Sequence, residues 1–299
     1  MKNRLRITKG NRKVVIDISD PHSGHKLGLL NPETKLYSQT RNGIKKVEIN
    51  FNEVNEYLWN LYINKCIAKA MEFADGDDAI LFITGDVTAG EKYTQEVISP
   101  LISHQLEMAK DIYLPWFEYK NVKSVRFASG TGSHVFGVGS AEILVAEYLK
   151  PYFPKVDIGV VFHGLANIGD TGVKIDYAHH GPYGGSRNWL RGNVARYYLQ
   201  SLMQDELDAG NVPPQLVLRG HYHTPVEESY TKRCNGHKYR SQIVIAPSMC
   251  ILDDFARQKT QSTFRITNGI YCFEIVDGQL GLPYEISETM DLRTVEVLL

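Results

Sequence analysis

The sequence predicts an α/β fold, because short apolar runs alternate along the chain with segments of helical periodicity. Residues 14–18 and 79–83 are apolar runs of the kind that forms buried strands. Between them, residues 53–74 place apolar side chains on one face of a helix. The chain of 299 residues is 43% hydrophobic and has no linker rich in Pro, Gly or Ser, so we expect a single domain over residues 1–299.

The composition argues against several classes of protein. The net charge is -1, so nucleic acid or an anionic membrane would have to be held by a local basic patch. The 4 cysteines are far apart and form no C-x-x-C pair, which argues against a zinc ribbon and a disulfide framework. The sequence shows no secretory signal and no apolar run of ~18 residues. We therefore expect a cytoplasmic protein that does not span a membrane.

The first candidate ligands follow the first strand. Residues 1–13 form a basic N-terminal arm, which could bind phosphate groups or could be a solvated tail or edge strand. The strand at residues 14–18 ends just before Asp20 and His22. Residues 23–52 contain many structure-breaking residues and several basic ones, so we expect an irregular inserted loop that serves as a substrate-recognition flap.

The next two strands also end near candidate ligands. Residues 79–83 lead into Asp86, and residues 124–128 lead into a glycine-rich turn that contains Ser133 and His134. This turn lacks the lysine and the spacing of a nucleotide-binding loop. The predicted helices cover residues 53–74, 94–116, 139–150 and 189–208.

Histidine pairs follow two later strands. Residues 157–161 and 172–178 are predicted to form a hairpin that leads into His179 and His180. A strand at residues 216–218 ends before His221 and His223, whose i and i+2 spacing places both imidazoles on one side of an extended chain. The remaining predicted segments are an exposed turn at residues 227–238, strands at 242–246 and 269–276, and a C-terminal edge strand.

Candidate ligands thus gather at strand ends, where open α/β folds place their sites. Carboxylate and imidazole ligands without thiolates suit Mn, Fe, Zn or Ni and argue against structural zinc. Asp86 is the candidate for a carboxylate that bridges two ions, because it lies between the histidine-bearing segments. Two ions about 3.5–4 Å apart can share a hydroxide and act on a phosphorus centre. The alternative is a set of core and surface histidines with ordinary structural contacts.

The motif order D-P-H, G-D, G-S-H, H-G and G-H-Y-H resembles the calcineurin-like metallophosphoesterase superfamily. The usual pattern there is D-x-H, G-D, G-N-H-D/E, H and G-H-x-H. The loop after D-P-H and the turn H-H-G-P-Y-G-G are most similar to phage-type and prophage-type members. The resemblance implies a four-layer αββα sandwich of two mixed β-sheets flanked by helices. It also implies two divalent transition-metal ions, with Mn expected and Fe, Zn or Ni as alternatives.

The resemblance implies a role for each matching residue. The implied metal ligands are Asp20, His22 and His223 for one ion, Ser133, His180 and His221 for the other, and Asp86 as the bridge. His134 would be the catalytic residue, which stabilises the transition state or protonates the leaving oxygen. His180 is preferred to His179 because it directly precedes a glycine, as in the family pattern, and because neighbouring residues of an extended strand point to opposite faces.

Two positions depart from the family pattern. Ser133 stands where the family has an asparagine ligand, and a hydroxyl is a weaker ligand. Val135 replaces the usual acidic residue, so His134 lacks its ordinary orienting partner.

The expected activity is that of a metal-dependent phosphoric ester hydrolase. It would cleave a phosphodiester in DNA, RNA or a nucleotide by attack of a metal-bridging hydroxide. Arg187, Arg191 and Tyr183 are the expected substrate-binding residues. The alternatives are a phosphomonoesterase or protein phosphatase, and a binding protein that kept the fold with weakened catalysis.

Overall fold

A computed structural model describes residues 12–136, 140–183, 190–251 and 264–293. Strands and helices alternate through these ranges, which confirms the α/β class, and no helix within them is long and apolar enough to cross a membrane. The strands are β1 (Lys13–Ile18), β2 (Leu36–Thr40), β3 (Gly43–Val47), β4 (Asp78–Ile83), β5 (Val122–Ala128), β6 (Asp157–Val161), β7 (His163–Asn167), β8 (Lys174–Ala178), β9 (Leu216–Arg219), β10 (Val226–Cys234), β11 (His237–Ile245), β12 (Arg265–Val276), β13 (Gln279–Leu280) and β14 (Tyr284–Asp291). The helices are α1 (Glu53–Leu61), α2 (Ala68–Ala74), α3 (Ile102–Phe117), α4 (Ala141–Leu149) and α5 (Asn193–Asp208), with a π-helical turn at Tyr62–Ile67 and 3-10 turns at Thr94–Glu96 and Gly169–Thr171.

Two mixed sheets contain most of the strands. The larger has 7 strands in the order β13-β12-β1-β4-β5-β6, with β14 beside β12, and its strands β1, β4, β5 and β6 are parallel. The smaller has 5 strands in the order β10-β11-β9-β8-β7, and its strands β8, β9 and β11 are parallel. Each sheet therefore has one edge where the carboxyl ends of several strands meet, which is the usual place for a site.

Three of the four apolar clusters show how the helices and the two large sheets pack. Helices α1 to α4 cover one face of the larger sheet, where Trp116 and Ile16 are fully buried. The two sheets meet in a second cluster, in which Phe82 and Tyr177 pack edge to face with ring centroids 4.8 Å apart. Leu199 of α5 packs in a third cluster on the outer face of the smaller sheet. Successive residues of β9 point into different clusters, as the alternation of a strand requires.

The predicted hairpin of residues 157–161 with 172–178 is wrong. β6 pairs with β5 in the larger sheet, whereas β8 pairs with β7 in the smaller one. The chain passes from one sheet to the other at Phe162, between β6 and β7. β7 itself was missed because His163–Asn167 is short and only partly buried, so it carries no apolar run.

Two segments expected to be irregular contain β-hairpins. Residues 227–238 hold most of β10 and the first residues of β11, whose turn contains Asn235 with a left-handed backbone. Residues 23–52 hold the hairpin of β2 and β3, and Leu29 and Leu30 in the same segment are fully buried. Exposed hairpins alternate weakly between polar and apolar residues, so the period of a strand is difficult to detect in them.

The basic arm is described only at Arg12 and Lys13. Arg12 donates hydrogen bonds to Asp77 at 2.7 Å and to Glu274 at 3.0 Å, and Lys13 also donates to a carboxylate of the protein. These two cations are thus paired within the fold. The phosphate-binding role predicted for the arm would fall to residues 1–11, which lie outside the described residues.

Arg219 fixes the end of β9 beside β8. Its fully buried guanidinium forms an ion pair of 2.5 Å with Asp176 of β8 and donates a hydrogen bond of 2.8 Å to Tyr198 of α5. A buried charge is stable only when it is paired and hydrogen-bonded. These contacts hold the point at which the chain leaves the sheet and enters the turn that carries His221 and His223.

Candidate metal centre

The carboxyl ends of parallel strands from both sheets meet at one place. The N–H of Gly220 donates to the carbonyl of His179 at 3.0 Å, and the N–H of Asp20 donates to the carbonyl of Gly85 at 3.2 Å. The first contact joins the turn after β9 to the turn after β8, and the second joins the turn after β1 to the turn after β4. The polar side chains gathered there, in overlapping groups that could hold a metal ion, are Asp20, His22, Asp86, His134, His179, His180, His221 and His223.

Five of these residues have a left-handed backbone. Their φ angles are 52° for Asp20, 43° for His22, 50° for Asp86, 75° for His221 and 52° for His223. Residues other than glycine rarely adopt this conformation, which costs on the order of 1–3 kcal/mol each. Backbone strain of this kind clusters at functional sites, where the surrounding structure fixes the side chains in directions that regular strands would not give.

The first group surrounds one carboxylate oxygen of Asp20. Nε2 of His223 lies 3.2 Å and Nε2 of His22 lies 3.6 Å from Oδ1 of Asp20, and the two nitrogens are 3.3 Å apart. The other oxygen, Oδ2, accepts hydrogen bonds from the Ser19 hydroxyl and from the N–H of His221. One oxygen is therefore held by the protein, and the other faces two imidazole nitrogens, as in a carboxylate–histidine metal site.

The second group surrounds Asp86. Oδ2 of Asp86 lies 3.0 Å from Nε2 of His179 and 3.1 Å from the Thr131 hydroxyl. Nδ1 of His221 is 3.2 Å from the same hydroxyl, and the rings of His180 and His221 have centroids 4.7 Å apart. This group joins side chains from both sheets.

Asp86 belongs to both halves of the site. Its Oδ2 is 4.0 Å from Nε2 of His22 and 4.0 Å from Nε2 of His134, in addition to its contact with His179. Asp86 thus lies within 4.0 Å of candidate ligands from both groups, and its bridging of two ions stays a prediction. The donor atoms are carboxylate oxygens, imidazole nitrogens and one hydroxyl, a set that suits Mn, Fe, Zn or Ni.

Backbone carbonyls orient two of the histidines. Nδ1 of His179 is 2.6 Å from the carbonyl of Thr84, and Nδ1 of His134 is 3.0 Å from the carbonyl of Ala89. A carbonyl only accepts, so Nδ1 must carry the proton in both rings. Nε2 of each ring faces Asp86 and can offer its lone pair, as metal-binding histidines do when their other nitrogen is fixed in this way. The residues present therefore fit a metal ion.

The structure places His179 and His180 differently from the predicted extended strand. β8 ends at Ala178, so both histidines lie beyond it, with ring centroids 5.0 Å apart. His179 is fully buried against Asp86, whereas His180 is exposed and reaches the group through His221. Both belong to one group with His221 whose ligand atoms lie within 4.8 Å of one another.

The orienting partner that the sequence did not reveal for His134 is the carbonyl of Ala89. The backbone carbonyl of His134 in turn accepts a hydrogen bond of 3.1 Å from the Thr88 hydroxyl. Its ring packs edge to face on His22, with centroids 4.4 Å apart. His134 thus lies beside the first group although Val135 supplies no carboxylate.

Thr131 is the residue of the site that sequence reasoning missed. Its hydroxyl contacts three candidate ligands, whereas, within the ranges described, no hydrogen bond connects the Ser133 hydroxyl to any of them. The spacing from the strand ends could have identified Thr131. Asp86 is the third residue after the end of β4, and Thr131 is likewise the third residue after the end of β5. In both cases a glycine directly precedes the residue, namely Gly85 before Asp86 and Gly130 before Thr131.

The histidines around Asp20 and Asp86 keep both carboxylates ionised. Burial alone would raise the pKa of Asp20 and of Asp86, but the surrounding histidines, His179 among them, lower both pKa values below the usual range. Burial lowers the pKa of His22 to about 4 and that of His221 to about 4. These two imidazoles are therefore neutral at pH 7.

The pKa of His179 is raised, in contrast to those of His22 and His221. Burial lowers its pKa, but the charges of Asp86 and Asp20 outweigh burial and bring the pKa to about 9. In the metal-free protein its Nε2 therefore holds a proton at neutral pH. A metal ion that binds this nitrogen must displace that proton.

The predicted substrate-binding residues have different surroundings. Tyr183 is 46% exposed and packs edge to face on Tyr222, with ring centroids 5.3 Å apart, and Tyr222 contacts the ring of His221 in the same manner at 4.9 Å. Arg191 is exposed in the turn before α5. Arg187 lies outside the described residues. The structure thus connects Tyr183 with the site through Tyr222.

No protein-family model matches the chain, and no curated protein matches it.

Replacing Gly130 by alanine should damage the site, whereas the same change at Gly132 should not. A Cβ on Gly130 would overlap Oδ1 and the backbone of Asp86, while a Cβ on Gly132 would meet open space. We expect Gly130→Ala to weaken Mn²⁺ binding at least about tenfold, since displacing the surroundings of a ligand commonly costs that much. Titration calorimetry on both variants checks this, and equal affinities would contradict the geometry.

Metal affinity should rise with pH between about 6.5 and 8. Because the raised pKa of His179 is about 9, the proton competes with metal throughout this range. The apparent affinity should increase about tenfold per pH unit, with about one proton released. Calorimetry in buffers of different ionisation enthalpy counts the protons. Asp17 also titrates in this pH range, because burial raises its pKa to about 8. The variant Asp17→Asn removes that titration and serves as the control. An affinity independent of pH would show that His179 does not bind metal.

Proposed function

We propose that the protein is a dinuclear metal-dependent phosphoesterase that cleaves a phosphodiester of a nucleic acid or nucleotide. The observation that supports this most is the position of Asp86 between two groups of ligands from different strands. One ion would be held by Asp20, His22 and His223, and the other by His179 and His221, with Asp86 shared and His180 close enough to contribute. Mn is the expected metal, and Fe, Zn or Ni would suit the same donors.

We also propose that the fold is a four-layer αββα sandwich. The three apolar clusters support it, because they lie between helices α1–α4 and the larger sheet, between the two sheets, and between the smaller sheet and α5. In this architecture the carboxyl ends of both sheets open at the same side, which is where the candidate ligands gather. The resemblance to calcineurin-like metallophosphoesterases of the phage type agrees with this proposal.

The residues around the ions would each contribute a defined effect. When bound, two such ions would activate water and neutralise the phosphoryl oxygens of an in-line displacement. His134 presents Nε2 to the site while Ala89 holds Nδ1, so a protonated Nε2 could donate to the phosphoryl group or to the leaving oxygen. Buried carboxylates with low pKa values remain ionised through the reaction, so they neither donate nor accept its protons.

The substrate proposal rests on aromatic and basic groups. Tyr183 offers an exposed ring that is linked to His221 through Tyr222, and nucleotide bases stack on such rings. Arg191 and the exposed Lys45 and Lys46 of the β2–β3 hairpin could contact phosphates. A phosphomonoesterase or protein phosphatase is the alternative within the same chemistry. A non-catalytic binding protein is disfavoured by the orientation of His134 through Ala89.

The proposal is tested with the full chain and added Mn²⁺. The substrates are bis-p-nitrophenyl phosphate, p-nitrophenyl phosphate, and single- and double-stranded DNA. We expect turnover of the diester and of DNA that EDTA abolishes and that Asp86→Asn lacks. Turnover of no substrate would contradict the enzyme proposal, and turnover of the monoester alone would contradict the choice of a phosphodiester.

His134→Ala should separate catalysis from metal binding. We expect a loss of about 10²–10⁴-fold in kcat, the usual contribution of a general acid, with an unchanged metal content. His237→Ala removes an exposed histidine at the start of β11 and serves as the control. If His134→Ala loses a metal ion, His134 is a ligand and not the catalytic acid.

A further inference from the structure

We propose that the hydroxyl of Thr131 is a ligand of the second ion, in the position that the motif comparison gave to Ser133. The inference deepens the proposed function, because it rests on the same two-ion site. It concerns a residue that carries neither a carboxylate nor an imidazole and so does not stand out as a ligand in the sequence.

Three contacts support the assignment. Oγ1 of Thr131 lies 3.1 Å from Oδ2 of Asp86, 3.1 Å from Nε2 of His179 and 3.2 Å from Nδ1 of His221. The hydroxyl therefore borders the same small space as a carboxylate and two imidazoles. Other than Thr131, every one of these side chains belongs to a group that could hold a metal ion.

The backbone of the turn fixes this position. The N–H of Thr131 donates to Oδ1 of Asp86 at 2.5 Å, and its hydroxyl donates to Oδ2. The main chain and the side chain of Thr131 thus bind the two oxygens of one carboxylate. Gly130 permits the close approach, because a side chain there would overlap Asp86. The N–H of His134 bonds to the carbonyl of Thr131 at 2.9 Å and closes the turn. Among the described residues, no hydrogen bond connects the Ser133 hydroxyl with the three partners of the Thr131 hydroxyl.

The hydrogen bonds of Thr131 are compatible with this assignment. A hydroxyl donates one hydrogen bond and accepts two, so Thr131 can donate to Asp86 and accept from Nε2 of His179. His179 already has a carboxylate partner in Asp86 and a carbonyl partner in Thr84. With a metal ion in place of the protons, lone pairs of the hydroxyl and of two imidazoles would converge beside a carboxylate, which is the pattern of a metal site. The hydroxyl supplies a neutral oxygen ligand, so the second ion would be bound less tightly than by a charged oxygen.

The first test compares isosteric variants for metal content and affinity, without substrate. We expect Thr131→Val to lose the weaker of two Mn²⁺ ions, with its affinity reduced at least about tenfold. Thr131→Ser keeps the hydroxyl and should bind two ions. Ser133→Ala removes the hydroxyl two residues away and should also bind two. A Thr131→Val protein that binds two ions normally, or a loss of the second ion in Ser133→Ala, would overturn the assignment.

A second test does not depend on the behaviour of the valine variant. Cobalt(II) bound by a thiolate shows an intense charge-transfer band in the near ultraviolet, since thiolate is a soft ligand. We expect this band in Thr131→Cys loaded with Co²⁺ and not in Ser133→Cys. A band in Ser133→Cys only, or in neither variant, would overturn the assignment. Wild-type protein that binds two ions but cleaves no phosphate ester would refute the proposed function and leave the Thr131 assignment intact.

Discussion

The carboxylate of Asp86 is the group on which the arrangement of the site depends. It is buried and follows strand β4. It contacts Thr131 in the turn after β5 of the same sheet and His179 in the turn after β8 of the other sheet. Removing one partner of a buried charge costs about 3–5 kcal/mol, because the remaining charge stays uncompensated. In the metal-free protein Asp86 is paired with the protonated His179, and a metal ion would replace that proton. The same contacts thus hold the two sheets together at the site and prepare it for a cation.

The turns after the strands position the candidate ligands at the expense of local stability. Five left-handed residues lie among the candidate ligands, and the other three non-glycine residues with positive φ among those described are Asp75, at the end of α2, and Asn235 and Asp277, in turns between strands. Because two sheets and a dense network of backbone contacts surround the site, the strain can persist. Arg219 acts at the same place, since its buried ion pair holds the end of β9.

The sequence was sufficient for the buried strands and for most of the side chains that gather at the candidate site. Strands such as β1 and β4 are continuous apolar runs, and polar residues directly after them are expected at the edge of a sheet. The sheet to which β6 belongs could not be predicted, because pairing with β5 depends on tertiary contacts. Thr131 was missed for a similar reason: the direction of its side chain follows from a turn that packs against Asp86, and only a glycine at position 130 permits this packing. The resemblance to the family pattern favoured Ser133, which stands at the position of the asparagine ligand.

The most direct test of the account is anomalous diffraction from crystals of the protein loaded with Mn²⁺. We expect two anomalous peaks about 3.5–4 Å apart, with the carboxylate of Asp86 in contact with both. One peak would lie beside Asp20 and His223, and the other beside His179 and His221. A single peak, or two peaks of which only one touches Asp86, would contradict the claim that this carboxylate is shared between two ions.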